Sequence, residues 1–371
     1  MSMERKIIAL ALAIVLIAAG LAAGLVWLAS QSNVPSEIRV GYITGDIHHL
    51  PYAIADNQSV GGGQSIFLKH GLNVTPKGYA SGAVIMENGF AQNEVDIAYV
   101  GAAPAISKHL NLGKNLVNTS IISQVNKEGS LIIADDSIDK PSDLVGKKVA
   151  APNKGAIQYL MLLKFLEENG MNISNDPKPY SGTAPYTGSV NYTDAPVGTM
   201  KTLMQKPVTD PDHISAFIAW EPVGSDAVAA GVGHILATSH DIWAEHPCCV
   251  IVVSNSFAAR HPDAVEKFIA AHKEAIDWIN SAKQNQNSSN YDLLVSIAKS
   301  FTAKNDTVTK SALAHVKYDY AITDSFKAML KEFTEKMMDF GIIPSDKLTY
   351  NGNDYSNVQD FITRYIKEDY M

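Results

Sequence analysis

Three observations predict an α/β fold in two lobes. Strand-like and helix-like segments alternate from residue 37 to residue 134, the order that builds a mainly parallel sheet with helices on its faces. The same alternation starts afresh at Pro141–Ala150. Finally, 371 residues, 46% hydrophobic and 18% charged, make a folded chain longer than one hydrophobic core usually serves.

The first thirty residues stand apart. Arg5 and Lys6 precede Ile7–Ser30, a run of 24 residues without a charge. A helix of that length, rising about 1.5 Å per residue, covers a hydrocarbon core of roughly 30 Å. Cleaved signals usually carry a shorter apolar stretch of about 7–15 residues, so an uncleaved anchor is favoured. The basic flank comes first, which leaves everything after the run outside the cytoplasm. Residues 1–36 are therefore read as anchor and polar linker. Seven N-x-[ST] acceptors, at Asn57, Asn73, Asn118, Asn172, Asn191, Asn287 and Asn305, agree with an external location, since chance gives about three.

Beyond the linker, Glu37–Ile43 alternates as a strand and ends in the turn Thr44–Asp46. Ser65–Lys69 is a short helix stopped by Gly71, and Leu72–Thr75 a second strand. A helix over Ala83–Phe90 and a strand over Asp96–Val100 follow, then a helix from about Ala105 and strands at Thr119–Gln124 and Ser130–Ala134. In the second half, Asn153–Ala156 opens a helix bearing Ile157, Leu160, Met161 and Phe165. Residues 172–198, rich in Pro, Gly, Ser, Thr and Tyr, are expected to be irregular loops. Strands are expected at Ile214–Trp220, His234–Ala237 and Cys248–Val253. Pro262 suits a first helical position, and Asp324–Phe340 places Phe326, Met329, Leu330, Phe333 and Met337 on one core-facing side.

The charge balance excludes some functions. A net charge of −8 argues against a nucleic-acid partner, which needs a basic face, but leaves room for a small anion at a locally positive site. Cys248 and Cys249, the only cysteines, make neither a disulfide scaffold nor a CxxC knuckle. Neighbours on a strand point to opposite faces, so they are read as small packing side chains. The same reasoning gives His48 and His49 structural roles ahead of metal binding. No Walker loop, dinucleotide turn, nucleophile elbow or HExxH motif occurs, which weighs against an enzyme.

Three loops follow expected strand ends: Thr44–His49, Gly101–Pro104 and Asn153–Ala156. In open α/β sheets ligands sit at the carboxyl ends of strands, where the next helix presents unpaired N–H groups. Gly101 and Gly155 permit close backbone approach, Lys154 adds a charge, and Trp220-Glu221-Pro222 offers an aromatic face beside a carboxylate.

Together, Gly89–Pro104, Asp143–Pro152, Ala219–Pro222, His246–Val253 leading into Ala264–Phe268, and the closing Phe340–Ile343 and Asp360–Ile362 resemble one family. It is the substrate-binding proteins of ABC importers for nitrate, sulfonate, taurine and related compounds, which also includes thiamine-precursor binders. The order and spacing carry the match over residues 37 to 365. The resemblance implies a periplasmic-binding-protein-like (type II) fold, with residues 37–132 plus 247–371 as lobe 1 and 133–246 as lobe 2. Crossing segments are expected near Ser130–Ala134 and Glu245–Val250, with closure by hinge motion. It places ligand contacts at Thr44, Gly45, Asp46, His48, His49, Ser81, Gly82, Gly101, Ala102, Ala103, Lys154, Gly155, Ala156, Trp220 and Glu221. It implies a monomeric receptor at the cell membrane, its bulk on the extracytoplasmic side, that hands a small ligand to an ABC permease and its ATPase. No cofactor, metal or nucleic acid is expected. The multi-cysteine motif of the yeast-type pyrimidine synthases is absent, and an enzyme or metal-binding protein using the same cleft is the alternative.

Overall fold

A computed structural model describes Pro35, residues 37–174 and residues 186–370. The apolar run Ile7–Ser30, expected to be the anchor, lies outside the described residues. Among the described residues no helix is long and apolar enough to cross a membrane.

The chain lays down β1 (Ile38–Ile43), β2 (Val74–Tyr79), β3 (Ile97–Gly101) and β4 (Thr119–Glu128) in one sheet. It then enters a second sheet for β5 (Ser130–Ala134), β6 (Lys148–Ala151), β7 (Met171–Ile173), β8 (Gly188–Asp194), β9 (Ala216–Trp220) and β10 (His234–Thr238). It returns to the first for β11 (Pro247–Ser254) and β12 (Val316–Tyr318). The strand orders are β12-β4-β11-β3-β1-β2 and β10-β5-β9-β6-β8-β7.

Both sheets are mixed, which corrects the expectation of mainly parallel ones. β1 pairs parallel with β2 and β3, and β6 with β8 and β9, as strand–helix–strand units require. The strands at the sheet-to-sheet passages run the other way: β11 is antiparallel to β3 and β4, and β5 to β9 and β10. They reach their neighbours from the opposite sheet instead of over a crossover helix.

Continuous apolar runs mark strands buried on both faces. In the second sheet, Leu131, Ile133, Ala150, Phe217 and Ala219 pack into one core with Met200 and Met204. Their neighbours Ile132, Ala134, Val149, Ala151, Ala216 and Ile218 pack into the other, which continues into the first sheet. Two local expectations need correction. The second strand begins later than Leu72 and runs through Pro76, which the sheet edge tolerates because no further strand needs its missing N–H. Residues 172–198 are not all irregular: β7 and β8 fall there, with Val190 and Tyr192 buried at period two.

The first passage between sheets turns on Gly129, whose φ of +86° is the left-handed region. A Cβ there would lie 2.3 Å from His48 Nε2. Only glycine lets the chain change sheets this close to that ring.

Candidate functional site

The loop after β1 is built by its own side chains. Asp46 caps one turn of 3-10 helix, Ile47–His49, by accepting from the His48 N–H at 3.0 Å. Tyr318 on β12 donates its hydroxyl to Ile47 O at 2.7 Å and ties the loop down. His49 turns into the core, where its Nδ1 accepts from Ile43 N–H at 2.9 Å. His48 turns the other way and donates from Nε2 to Gly129 O at 3.0 Å, which aims its Nδ1 inward.

What it faces is a pair of thiols. Cys248 Sγ lies 3.4 Å and Cys249 Sγ 3.9 Å from His48 Nδ1, with 4.0 Å between the sulfurs. Strand alternation would send the two thiols to opposite faces. β11 breaks that alternation, because its register against β4 shifts between Pro247 and Cys249 and again between Cys249 and Val250. A bulge re-aims side chains in this way, and both thiols come to the same side.

Burial and charge set the protonation here. Burial, with Cys248 adding to it and His48 opposing, pushes Asp46 up to about 6. Burial would lower His48, but Cys248 and Asp46 beside it outweigh that and hold it up to about 9. Cys248 is drawn well below the ordinary thiol range by the Cys249 hydrogen bond, with His48 adding to it, whereas burial pushes Cys249 well above. His49 is held well below its usual value by burial and by His48.

Asp46, His48, Cys248 and Cys249 form the floor of a cavity of about 390 Å³. One wall comes from loops of the first sheet, with Ile43, Asp46, His48, Ser81, Gly82 and Gly101. The facing wall comes from the second, with Asn153, Gly155, Ala156, Ile157, Gln158 and Trp220. Two helices begin at these walls, Ala102–Leu112 after Gly101 and Ile157–Glu168 after Ala156, and no side chain caps either N-terminus. Their first N–H groups are therefore left for a ligand or water. Gly82 has no room for a side chain, since its Cβ would meet Pro104 Cγ at 2.8 Å.

Of the residues expected to touch a ligand, Asp46, His48, Ser81, Gly82, Gly101, Gly155, Ala156 and Trp220 line this cavity. Thr44, Gly45, His49, Ala102, Ala103, Lys154 and Glu221 do not line it. Thr44 is exposed at the strand end and donates its N–H to Tyr79 O. Ala102 and Ala103 are fully buried in the first turn of the helix. Lys154 is exposed, its ammonium 5.8 Å from the Tyr159 ring centre. The Gly155 N–H donates to Asn153 Oδ1 at 2.9 Å and is spent there. Glu221 is fully buried and accepts from Ser225 N and Oγ and from His315 Nδ1, which makes it a brace beneath the wall.

The reading missed a polar stripe on the helix Ala102–Leu112. Pro104, Ser107, Lys108 and Asn111 recur at helical spacing and all line the cavity. The wall's lysine is thus Lys108, paired with Glu87 at 2.5 Å. Asn111 donates to Ile342 O at 2.9 Å and leaves its buried Oδ1 without a partner among the described residues. The i, i+3, i+4, i+7 pattern was legible and would have found these side chains.

The comparisons with known proteins concern the chain as a whole. No curated protein sequence matches it. Among solved structures, the alkanesulfonate-binding protein of Xanthomonas axonopodis pv. citri bound to MOPS superposes with a TM-score of 0.67 at 12% identity, over 90% of this chain and 99% of that one. The periplasmic nitrate-binding protein of Synechocystis PCC 6803 gives 0.65 at 14%, over 91% and 88%. The periplasmic aliphatic sulphonate binding protein of Escherichia coli gives 0.64 at 15%, over 84% and 89%. At such identities the likeness shows the fold, a type II periplasmic-binding-protein architecture with two mixed sheets. The pattern of the NMT1-like family matches residues 32–291, and the chain belongs to that family.

Proposed function

We propose that this protein is an extracytoplasmic solute receptor that binds a small oxyanion-bearing ligand in the cavity and delivers it to an ABC importer. The observation that carries the reading is the pair of uncapped helix N-termini, one from each sheet, opening on one cavity. Two partial positive ends converging on one cavity favour an anion. Lys108 adds charge, Ser81 and Asn111 add hydrogen bonds, and Trp220 supplies an apolar wall. The solved structures with this fold bear names of sulfonate- and nitrate-binding proteins, which supports the same ligand class. In this reading residues 37–132 plus 247–371 form one lobe, residues 133–246 the other, and residues 1–36 hold the receptor at the membrane.

The test is calorimetry on the full chain in mild detergent against nitrate, bicarbonate, taurine, alkylsulfonates and aminopyrimidines. We expect one compound to bind with micromolar affinity, and Trp220→Ala and Lys108→Ala each to weaken it about tenfold or more. Absence of binding by the whole panel overturns the reading. One observation favours a second reading, an enzyme in the same cleft: Cys248 Sγ beside His48 Nδ1 is the arrangement of an activated thiolate. Conversion of a bound compound, abolished by Cys248→Ser, would establish it.

A further inference from the structure

The floor of the cavity has a use that anion binding does not require. The spacing of its donors matches a tetrahedral coordination sphere. His48 Nδ1, Cys248 Sγ and Cys249 Sγ are fully buried and stand 3.4, 3.9 and 4.0 Å from one another. Asp46 Oδ1 lies 3.5 Å from His48 Nδ1, and the Asp46 carboxylate is within 4.8 Å of the Cys249 sulfur. A tetrahedral zinc ion with Zn–S of about 2.3 Å and Zn–N or Zn–O of about 2.0 Å needs donor separations of roughly 3.8 Å for S–S, 3.6 Å for N–S and 3.3 Å for N–O. The three distances among His48, Cys248 and Cys249, and that from His48 to Asp46, each fall within about 0.4 Å of their requirement.

The surroundings fit as well. His48 donates its outer ring nitrogen to Gly129 O, the contact that fixes the tautomer of a ligating imidazole and aims the other nitrogen at a metal. His49 has spent Nδ1 on Ile43 N–H, so its neutral ring carries the proton on Nε2. That nitrogen is buried without a partner among the described residues, in the cluster formed by Asp46 and Cys249. With its proton on Nε2, His49 is not itself a ligand. Entry is from the cavity, because Asp46, His48 and both cysteines line it. Two sulfurs and one imidazole select a borderline-soft divalent ion of the zinc class over magnesium or calcium.

We infer that His48, Cys248 and Cys249, with Asp46 beside them, form a binding site for a thiophilic divalent cation, Zn²⁺ or Co²⁺, at the floor of the cleft. The bulge in β11 is what builds it, by turning two sequence neighbours to one side.

Full-length protein is stripped of metal under reducing conditions and titrated with Co²⁺, whose thiolate charge-transfer and d–d bands report sulfur ligation and tetrahedral geometry. The expected result is one ion per chain, displaced by Zn²⁺, with binding weakened at least about tenfold in Cys249→Ser and His48→Gln. Should a variant fail to fold, wild-type protein still decides: bound Zn²⁺ must slow maleimide alkylation of both cysteines. Absence of sulfur-to-cobalt bands at one equivalent, unchanged affinity in the Cys248→Ser/Cys249→Ser double variant, or unslowed alkylation overturns the inference. The outcome is separable from the receptor reading, because anion binding by the metal-stripped protein would sustain that reading alone.

Discussion

At the scale of single residues, the buried histidines govern how stability responds to acid. His109 lies between Thr119 Oγ1 and the Tyr355 hydroxyl, with the Tyr365 and Phe361 rings stacked around it and Lys114 nearby. Burial, helped by Lys114, lowers its pKa to about 3. The unfolded chain binds a proton near pH 6.5 and the folded chain only near 3, so stability present above 6.5 is lost as pH falls through that window. We expect His109 to cost about 2 kcal/mol between pH 7 and pH 5, seen as a lower urea midpoint, and His109→Gln to flatten that slope. His272, lowered to about 4 by burial, and the likewise lowered His49 and His246 remain in the variant and set the residual slope. Glu221 makes a second case. Its carboxylate is fully buried under three hydrogen bonds, and Glu221→Ala strands Ser225 and His315, for an expected loss of about 3 kcal/mol in chemical denaturation. The sequence marked Glu221 as a ligand contact because it follows an aromatic residue at a strand end. Nothing local distinguishes a carboxylate that faces a cleft from one that braces it, since the decisive partner, His315, lies 94 residues away.

At the scale of elements, the strands were the most readable part, because β3, β5, β9 and β11 are apolar throughout and buried on both faces. Their direction was not readable, since whether a strand pairs parallel or antiparallel depends on which sheet the chain arrives from. β8 was hidden for another reason: its two buried residues, Val190 and Tyr192, are diluted by loop-forming neighbours. The bulge in β11 left no trace in the alternation of types, and the convergence of Cys248 and Cys249 went unread with it. The helix Ala102–Leu112 offers a prediction at this scale. Its cavity-facing stripe includes Lys108, and an ammonium facing an anionic ligand should make affinity fall as salt rises. Lys108→Met is expected to lower affinity about tenfold and to remove most of that salt dependence, both read by calorimetry at two ionic strengths. Lys154→Met, on the exposed loop, is expected to change affinity by less than about twofold.

At the scale of the molecule, the two passages between the sheets are held together by one buried carboxylate. Glu128 ends β4 with a φ of +59°, and Glu245, at +62°, precedes β11. The Glu128 side chain accepts from the Glu245 N–H at 2.9 Å, from His240 Nδ1 at 2.7 Å and from Lys317 Nζ at 3.0 Å. Lys317 on β12 reaches Glu245 at 2.6 Å, and Lys127 bridges Glu245 and Asp319. One acid therefore joins the outgoing passage, the returning passage and the edge strand, which are the segments that must flex if the lobes close. Burial would raise Glu128, but the bonds from His240, Glu245 and Lys317 prevail and hold it below the usual carboxylate value. Its contribution is present above the unfolded carboxylate pKa, near 4.3, and is lost as pH falls through the lower folded value. Glu128→Gln keeps the shape and removes the charge, leaving His240 without its anion and Lys317 with Glu245 alone. We expect about 2 kcal/mol of lost stability at pH 7 and a shallower acid limb below pH 4.3. Because Glu128 does not line the cavity, ligand affinity should move less than about threefold, through the open–closed equilibrium alone. A variant that keeps its stability but loses its ligand would instead place Glu128 in the recognition surface, and the brace would have to be sought elsewhere at the passages.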